Sequence, residues 1–254
     1  VKPLTPTRRR GFEYLDEPGV DPAIRARSHR DIALANTLFG GTRALDTVLH
    51  RLAPRLPRAV TVLDVGGGPG NTLRRTIGLL RGHGVETTGM ILDNSADVLR
   101  MAVERGLTGI CGCARALPFA DRSVDVTICS LLLHHFDGDD LISVLSELDR
   151  VTRERVIVAD LQRSWTAAAG LWFASFPLAF HPISRHDGIA SIFRGFTGAE
   201  LRDLIERATG VRADVARFLG FRLLASWDPG GSRGLRPAGR PVGVGDVARP
   251  TAGP

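Results

Sequence analysis

The chain has 254 residues, 43% of them hydrophobic, with 33 basic and 27 acidic side chains and a net charge of +6, enough for one large domain or two small ones. The charge sits at the ends: Lys2, Arg8, Arg9 and Arg10 lie in the first ten residues, and Arg233, Arg236, Arg240 and Arg249 against Asp246 in the last stretch, leaving a body near −1, which argues against a nucleic-acid groove. No apolar stretch follows the basic N-terminus as in a signal peptide, no window reaches the roughly 18 apolar residues of a membrane span, and Cys111, Cys113 and Cys129 make no disulfide framework, so a cytoplasmic protein is expected.

Residues 22–54 predict two helices. Ile24 and Ile32 stand eight apart and Leu34 and Leu38 four apart, as residues sharing a helix face do. Gly40-Gly41 ends the first helix, and Thr42 is placed to cap the second, which carries Leu45, Val48, Leu49 and Leu52. From Val60 short β-rich runs alternate with helical ones. They read as strand VTVLDV, helix NTLRRTIGLLRG, strand ETTGMILD, helix SADVLRMAVERG, strands TGICGCA and VDVTICSLLL, helix DDLISVLSELDRV and strand RVIVADL. Thr197-x-x-Glu200 is a capping box that opens TGAELRDLIERATG. ADVARFL and RLLASW meet at Gly220 and suit an antiparallel hairpin. Alternating β and α predicts an α/β fold: a doubly wound, mostly parallel seven-stranded sheet covered on both faces, with the hairpin at one edge. The three cysteines read as small buried thiols in strands, because Cys-x-Cys without a second pair or a nearby His is a poor zinc site; no metal is expected. Residues 229–254, rich in Pro, Gly and Arg, bury too little to order themselves and are expected to form a disordered tail.

The run VLDVGGGPG, Val62 to Gly70, places a glycine cluster directly after a strand. In such a sheet, ligands bind beyond the carboxyl ends of the strands. A Gly-rich turn lets backbone approach a ligand where a Cβ would collide, and the helix that follows offers free N–H groups. Gly66, Gly68 and Gly70 make G-x-G-x-G; a dinucleotide site would want G-x-G-x-x-G, and Asn71 stands where its last glycine belongs. Asp64 precedes the first glycine by two, and Asp93 ends the second strand, where a carboxylate can hold ribose hydroxyls. This combination resembles the class I S-adenosylmethionine-dependent methyltransferases over roughly residues 56–228. LDNSADVLRMA follows the family's rhythm, and LPFADRSVDVTICSLLLHHF resembles small-molecule members such as the quinone-biosynthesis, or type 11, enzymes of cofactor and secondary metabolism. VADLQRS resembles their fifth-strand end.

The resemblance implies a Rossmann-like fold and S-adenosyl-L-methionine as cofactor. Taken with the readings of the two ends, it divides the chain into an N-terminal helical cap over 1–55, a methyltransferase domain over 56–228 with an aromatic insertion at 164–196, and the tail. It implies that Gly66, Gly67, Gly68 and Gly70 wrap the methionine part and ribose, and that Asp64 serves the methionine amino group. Asp93 would take the ribose hydroxyls with Asn94 beside the adenine, and Ser130 and Leu131 would line the methionine side. The family often has Asp-Ala after the third strand, with the Asp on the adenine amine; here the pair is Cys113-Ala114, and a backbone group is expected to replace that contact.

Methyl transfer from a sulfonium is a direct displacement, in which alignment does most of the work and a base helps a neutral hydroxyl. The candidate bases are His134 and His135 after the fourth strand, and His181 and His186 in the insertion, with His135 first by position. The insertion WTAAAGLWFASFPLAFHPISRHDGIASIF, with Trp165, Trp172, Phe173, Phe176, Phe180 and Phe193, reads either as a helix packed on the core or as a wall for an apolar, aromatic or lipid-like acceptor. Helices before residue 55 would close the other side, with Asn36 to Gly41 approaching the cofactor. The expected reaction is O-methylation of a small apolar or aromatic acceptor, with C-methylation open. The alternative is a non-catalytic cofactor-binding partner subunit, because Cys113 is atypical. A short-chain reductase would need Tyr-x-x-x-Lys, but the only Tyr is Tyr14 and the only Lys is Lys2. A base-modifying nucleic-acid methyltransferase would want Asn/Asp-Pro-Pro-aromatic where SLLLHHF stands.

Overall fold

Ala59–Val65 (β1) runs through the middle of the sheet in the computed structural model, which describes residues 5–17, 19–218 and 221–230. Beside it lie Glu86–Asp93 (β2) and Val124–Ser130 (β4), both parallel to it. Thr108–Cys111 (β3) continues outward from β2, and Thr152–Leu161 (β5) from β4. Asp214–Phe218 (β6) and Arg222–Trp227 (β7) form the closing hairpin, giving the order β3-β2-β1-β4-β5-β7-β6. The strand that runs antiparallel to its neighbours is β7, one position in from the edge, between β5 and β6. Strand order reverses between β1 and β4, so a crevice opens at the carboxyl ends of these two strands.

Helices cover both faces because the central strands are apolar on both sides. Gly41–Leu52 (α2), Asn71–Gly82 (α3) and Ala96–Val103 (α4) bury Leu49, Leu73, Leu80 and Leu99 against Val62, Ile91 and Ile128. Gly138–Val151 (α5) and Gly198–Thr209 (α8) bury Leu145, Leu148, Leu201 and Ile205 against Leu63, Val65, Val156 and Val158 on the other face. The capping box of α8 is complete: Glu200 N–H donates to Thr197 Oγ1 at 3.2 Å and Thr197 N–H to Glu200 Oε2 at 2.8 Å, an arrangement whose loss typically costs about 1 kcal/mol. The remaining helices are Pro22–Leu38 (α1), Trp165–Ala174 (α6) and Pro182–Arg194 (α7). Among the described residues, no helix is long and apolar enough to cross a membrane.

Several expectations are corrected. Ile32, Leu34 and Leu38 are exposed, so α1 has no core stripe; it buries Ser28 and Asp31 instead. These two residues meet the start of α7, where Ser184 Oγ donates to Ser28 Oγ at 3.0 Å and His181 N–H to Asp31 at 2.9 Å. Thr42 does not cap α2: Gly40, at φ +80°, holds the cap position, which puts Thr42 inside the first turn. The third strand ends at Cys111, and the fourth ends at Ser130 because Leu131 turns to φ +55° and Leu133–His135 form a 3-10 turn. Cys129 is buried, but Cys111 and Cys113 are exposed. Arg8 is no loose-end charge: it donates to the Arg194 and Phe136 carbonyls at 2.7 and 2.8 Å and lies 4.5 Å over the Phe196 ring. Of residues 229–254 only Pro229 and Gly230 are described, so the expected tail otherwise lies outside the described residues.

Candidate active site

The turn after β1 is held open by its own backbone. Gly66 and Gly68 have φ of +69° and +54°, the left-handed region that favours glycine, and Gly66 N–H donates to the Leu92 carbonyl at 2.7 Å. A Cβ on Gly67 would come within 2.8 Å of Asp64 Cγ, so only glycine leaves the carboxylate room. At Gly68 a Cβ would meet only Val98 at 3.8 Å, so this position faces the crevice. Gly70, at φ +84°, opens α3 and backs onto Leu107 and Ile91; it shapes the turn and does not line the crevice.

Asp64 and Asp93 differ sharply. Asp64 is fully buried and neither of its carboxylate oxygens has a hydrogen-bond partner. Burial, helped by the charge of Asp93, pushes its pKa from 3.8 up to about 7; the Leu73 N–H nearby pulls the other way without forming a proper bond. Asp93 is half-buried and tied down, accepting from Gly68 N–H at 3.1 Å and Ser95 N–H at 3.0 Å. The cap of α4 is Ser95, so Asp93 joins the glycine turn to the next loop.

These groups line one cavity of about 950 Å³, together with Asn94, Ser130 and Leu131. Its roof is the end of α1 and the start of α2, including Asn36, Phe39, Gly41 and Leu45, and His29 of α1 reaches it as well. Its far wall comes from α6 and α7, which supply Ala167, Gly170, Leu171, Gly188 and Ile192. Of the two readings of the insertion, that of a wall fits, but most of its rings are not part of it. Phe180 is the one aromatic of the insertion among the lining residues, while Trp165, Trp172, Phe173 and Phe176 are exposed. On α6 the small and aliphatic residues Ala167, Ala168 and Leu171 turn inward and the rings outward.

Between β4 and that wall lies a polar cluster. His134 Nδ1 is 2.7 Å from Asp160 Oδ1, and both side chains are buried. Burial works to raise the Asp160 pKa, but the charge and hydrogen bond of His134, with the Leu161 N–H, outweigh it and hold the carboxyl below its usual range. The His135 ring lies 4.3 Å from that of His134, and its Nδ1 faces an Arg194 N–H at 3.2 Å. Arg194 in turn pairs with Glu13 at 2.9 Å, and Glu13 accepts from Ser191 Oγ at 2.9 Å. Glu13, His134 and His135 bring donor atoms within 4.8 Å of one another, but the Arg194 guanidinium already supplies the cation there.

The other expected residues fall elsewhere. His181 caps α7, accepting from Ile183 N–H at 3.3 Å. His186 packs on the Tyr14 ring and bonds Asp187, on the outer side of α7. Neither lines the main cavity, nor do Cys113 and Ala114. Cys113 instead bonds Arg115, which lowers its thiol pKa. Sequence reasoning missed Glu13, His29, Asp160, Arg194 and Arg222. Asp160 and Arg222 had a readable signal, each a charge beside an apolar run: Asp160 follows residues 156–159 and Arg222 precedes residues 223–225; the others had none.

The model of a family described as a methyltransferase domain matches residues 62–155, from β1 into β5. No curated protein sequence matches the chain. Solved structures share the fold. A SAM-dependent methyltransferase from Aquifex aeolicus aligns at TM-score 0.51 and 17% identity, over 70% of this chain and 87% of its own. An O-methyltransferase of Nostoc punctiforme, titled as putative, aligns at 0.57 and 16%, over 86% and 65%. The plantazolicin methyltransferase BamL, in complex with a triazolic desmethylPZN analog and SAH, aligns at 0.56 and 16%, over 76% and 70%.

Proposed function

We propose that this chain, an S-adenosylmethionine-dependent methyltransferase, transfers the methyl group to a hydroxyl of a small, largely apolar acceptor, with His134 as the base. The observation that carries the reading is the buried His134–Asp160 pair on the wall of the cavity that the glycine turn opens into.

The residues of the turn suit the cofactor. Asp64 is a buried carboxylate without a partner, suited to the methionine ammonium. Gly68 leaves room for close approach, and Asp93 and Asn94, which line the same cavity, suit the ribose and adenine side. When bound, S-adenosylmethionine supplies an electrophilic methyl group on a sulfonium.

The chain's own work is to exclude water, align the acceptor and take its proton. Asp160 accepts from His134 Nδ1–H and so leaves the lone pair on Nε2. His135 is engaged the other way: Arg194 donates to its Nδ1, which places the His135 proton on Nε2. His134 is therefore the better acceptor, and this reading replaces His135 as the first candidate. A phenol ionises near pH ~10 and a histidine near ~6.5, so the base matters at neutral pH, typically by about 10²–10⁴-fold. As the acceptor oxygen takes up the methyl that the cofactor would supply, its hydroxyl proton would pass to His134 Nε2. A carbon acid would use the same base. The apolar wall of Leu131, Leu171 and Ile192 suits a hydrophobic acceptor. The test is methyl transfer to a panel of phenols and alcohols by wild type and His134→Gln, with SAH affinity measured beside it. Loss of turnover at unchanged SAH affinity supports the assignment; unchanged turnover contradicts it.

A further inference from the structure

Arg222 opens β7 opposite Leu161 at the end of β5, and it lines the main cavity. It is 7% exposed and forms no side-chain hydrogen bond or ion pair among the described residues; its Nε is fully buried without a partner. Burial lowers its pKa to about 10, which the charge of Asp160 only partly offsets, so it stays cationic at neutral pH. A Cβ on Gly41 would lie 3.0 Å from its Nε, so the guanidinium sits directly under the α1–α2 roof. A buried cation without a bonded anion is costly to keep, and a guanidinium fork matches a carboxylate.

We propose that Arg222 anchors a carboxylate of the acceptor, so that the acceptor is an apolar molecule bearing an acid group separate from the hydroxyl that is methylated. This rests on the methyltransferase reading of the same cavity. The methionine carboxylate of the cofactor is the other source of the same chemistry, and the sheet argues against it. β7 lies three strand spacings from β1, about 14 Å, and Asp64 on β1 is the group suited to the adjoining ammonium.

The experiment uses the full chain, Arg222→Met and Arg222→Lys, with calorimetry against SAH and 5′-methylthioadenosine, which lacks the amino-acid end. The SAH-saturated proteins are then titrated with paired probes: 4-hydroxyphenylacetate, indole-3-acetate, 1-naphthoate and decanoate, each against its neutral amide. SAH binding by wild type tests the underlying reading on its own. The proposal expects wild type to prefer at least one acid over its amide by roughly 30-fold, the low end for a buried charge pair. Arg222→Met should abolish that preference and Arg222→Lys retain part of it. SAH affinity should stay unchanged, and the ligand-free melting temperature of Arg222→Met should not fall. Loss of SAH affinity in Arg222→Met, with 5′-methylthioadenosine unaffected, would assign the residue to the cofactor and overturn the acceptor assignment. So would a wild type that prefers none of the acids. A stability loss with a shifted pH–rate profile and unchanged ligand affinities would make Arg222 a counter-charge for Asp160, and would overturn it as well.

Discussion

His134 Nδ1 meets Asp160 Oδ1 at 2.7 Å, with both side chains buried at the end of the parallel sheet. A carboxylate in that position fixes the ring, sets its tautomer and stabilises the imidazolium formed when it takes a proton. His134→Gln keeps a donor for Asp160 but removes the base. Turnover on a phenolic acceptor should fall by about 10²–10⁴-fold, with less loss at high pH where the phenolate forms unaided. His134→Ala should also lose stability, by roughly 3–5 kcal/mol, because it strands a buried charge. A pH–rate profile and a melting curve separate the two effects.

The same pair predicts an acid limit. The folded-state pKa of Asp160 lies below its ordinary value, so its contribution to stability is present above the unfolded pKa and is lost as pH falls through the lowered folded one. Acid titration of the melting temperature should show a smaller drop in Asp160→Asn than in wild type.

Asp64 carries the opposite sign. Its folded pKa is raised from 3.8 to about 7, so between those values the unfolded chain releases a proton that the folded chain keeps, and stability falls as pH rises across that window. Asp64→Asn should therefore melt higher than wild type at pH 8. Binding of an ammonium favours the ionised form, so SAH affinity should rise with pH and level off above about 7. In Asp64→Asn the affinity should be weaker and this rise absent, as calorimetry at pH 5.5 and 8 would show.

Neighbouring glycines should respond differently. Gly67→Ala puts a methyl within 2.8 Å of Asp64 Cγ, displacing the carboxylate even though the backbone there is ordinary. Gly68→Ala faces open space but forces alanine to φ +54°, costing on the order of 1 kcal/mol. SAH affinity should drop more in the first, and Gly68→Val should remove it by filling the crevice. Equal affinity in all three variants and wild type would contradict the placement of the cofactor.

Glu13 ties the N-terminal segment to the site through Arg194 and Ser191. Glu13→Gln should lower turnover while leaving SAH affinity intact, because it disturbs the charges beside His135 and leaves the glycine turn alone. A change in SAH affinity without a change in turnover would contradict that role.

The sheet and most helix bounds were legible because period, glycine and capping signals agree in the core: NTLRRTIGLLRG and ETTGMILD fold as read. That Asp64 and Asp93 line the cavity was legible because residues at strand ends in this topology face the crevice. The polar cluster was harder to read. Glu13 reaches Arg194 only after the N-terminal segment docks along α7, a long-range event that no local pattern encodes. The rings of α6 misled for a similar reason: hydrophobicity identified a helix that packs, but with apolar residues on every side its period could not say which face turns inward.

The central claim is a hydroxyl acceptor deprotonated by His134. It is tested most directly by transfer of tritiated methyl from S-adenosylmethionine to phenols and alcohols, with and without a carboxyl group, comparing wild type and His134→Gln at pH 7.5 and 9.5. The account predicts at least one O-methylated product, formed about 10²-fold or more slowly by the variant at pH 7.5 and with part of the rate recovered at pH 9.5 for a phenol. Equal rates for the two proteins at pH 7.5, or a loss as large at pH 9.5 as at 7.5, would contradict it.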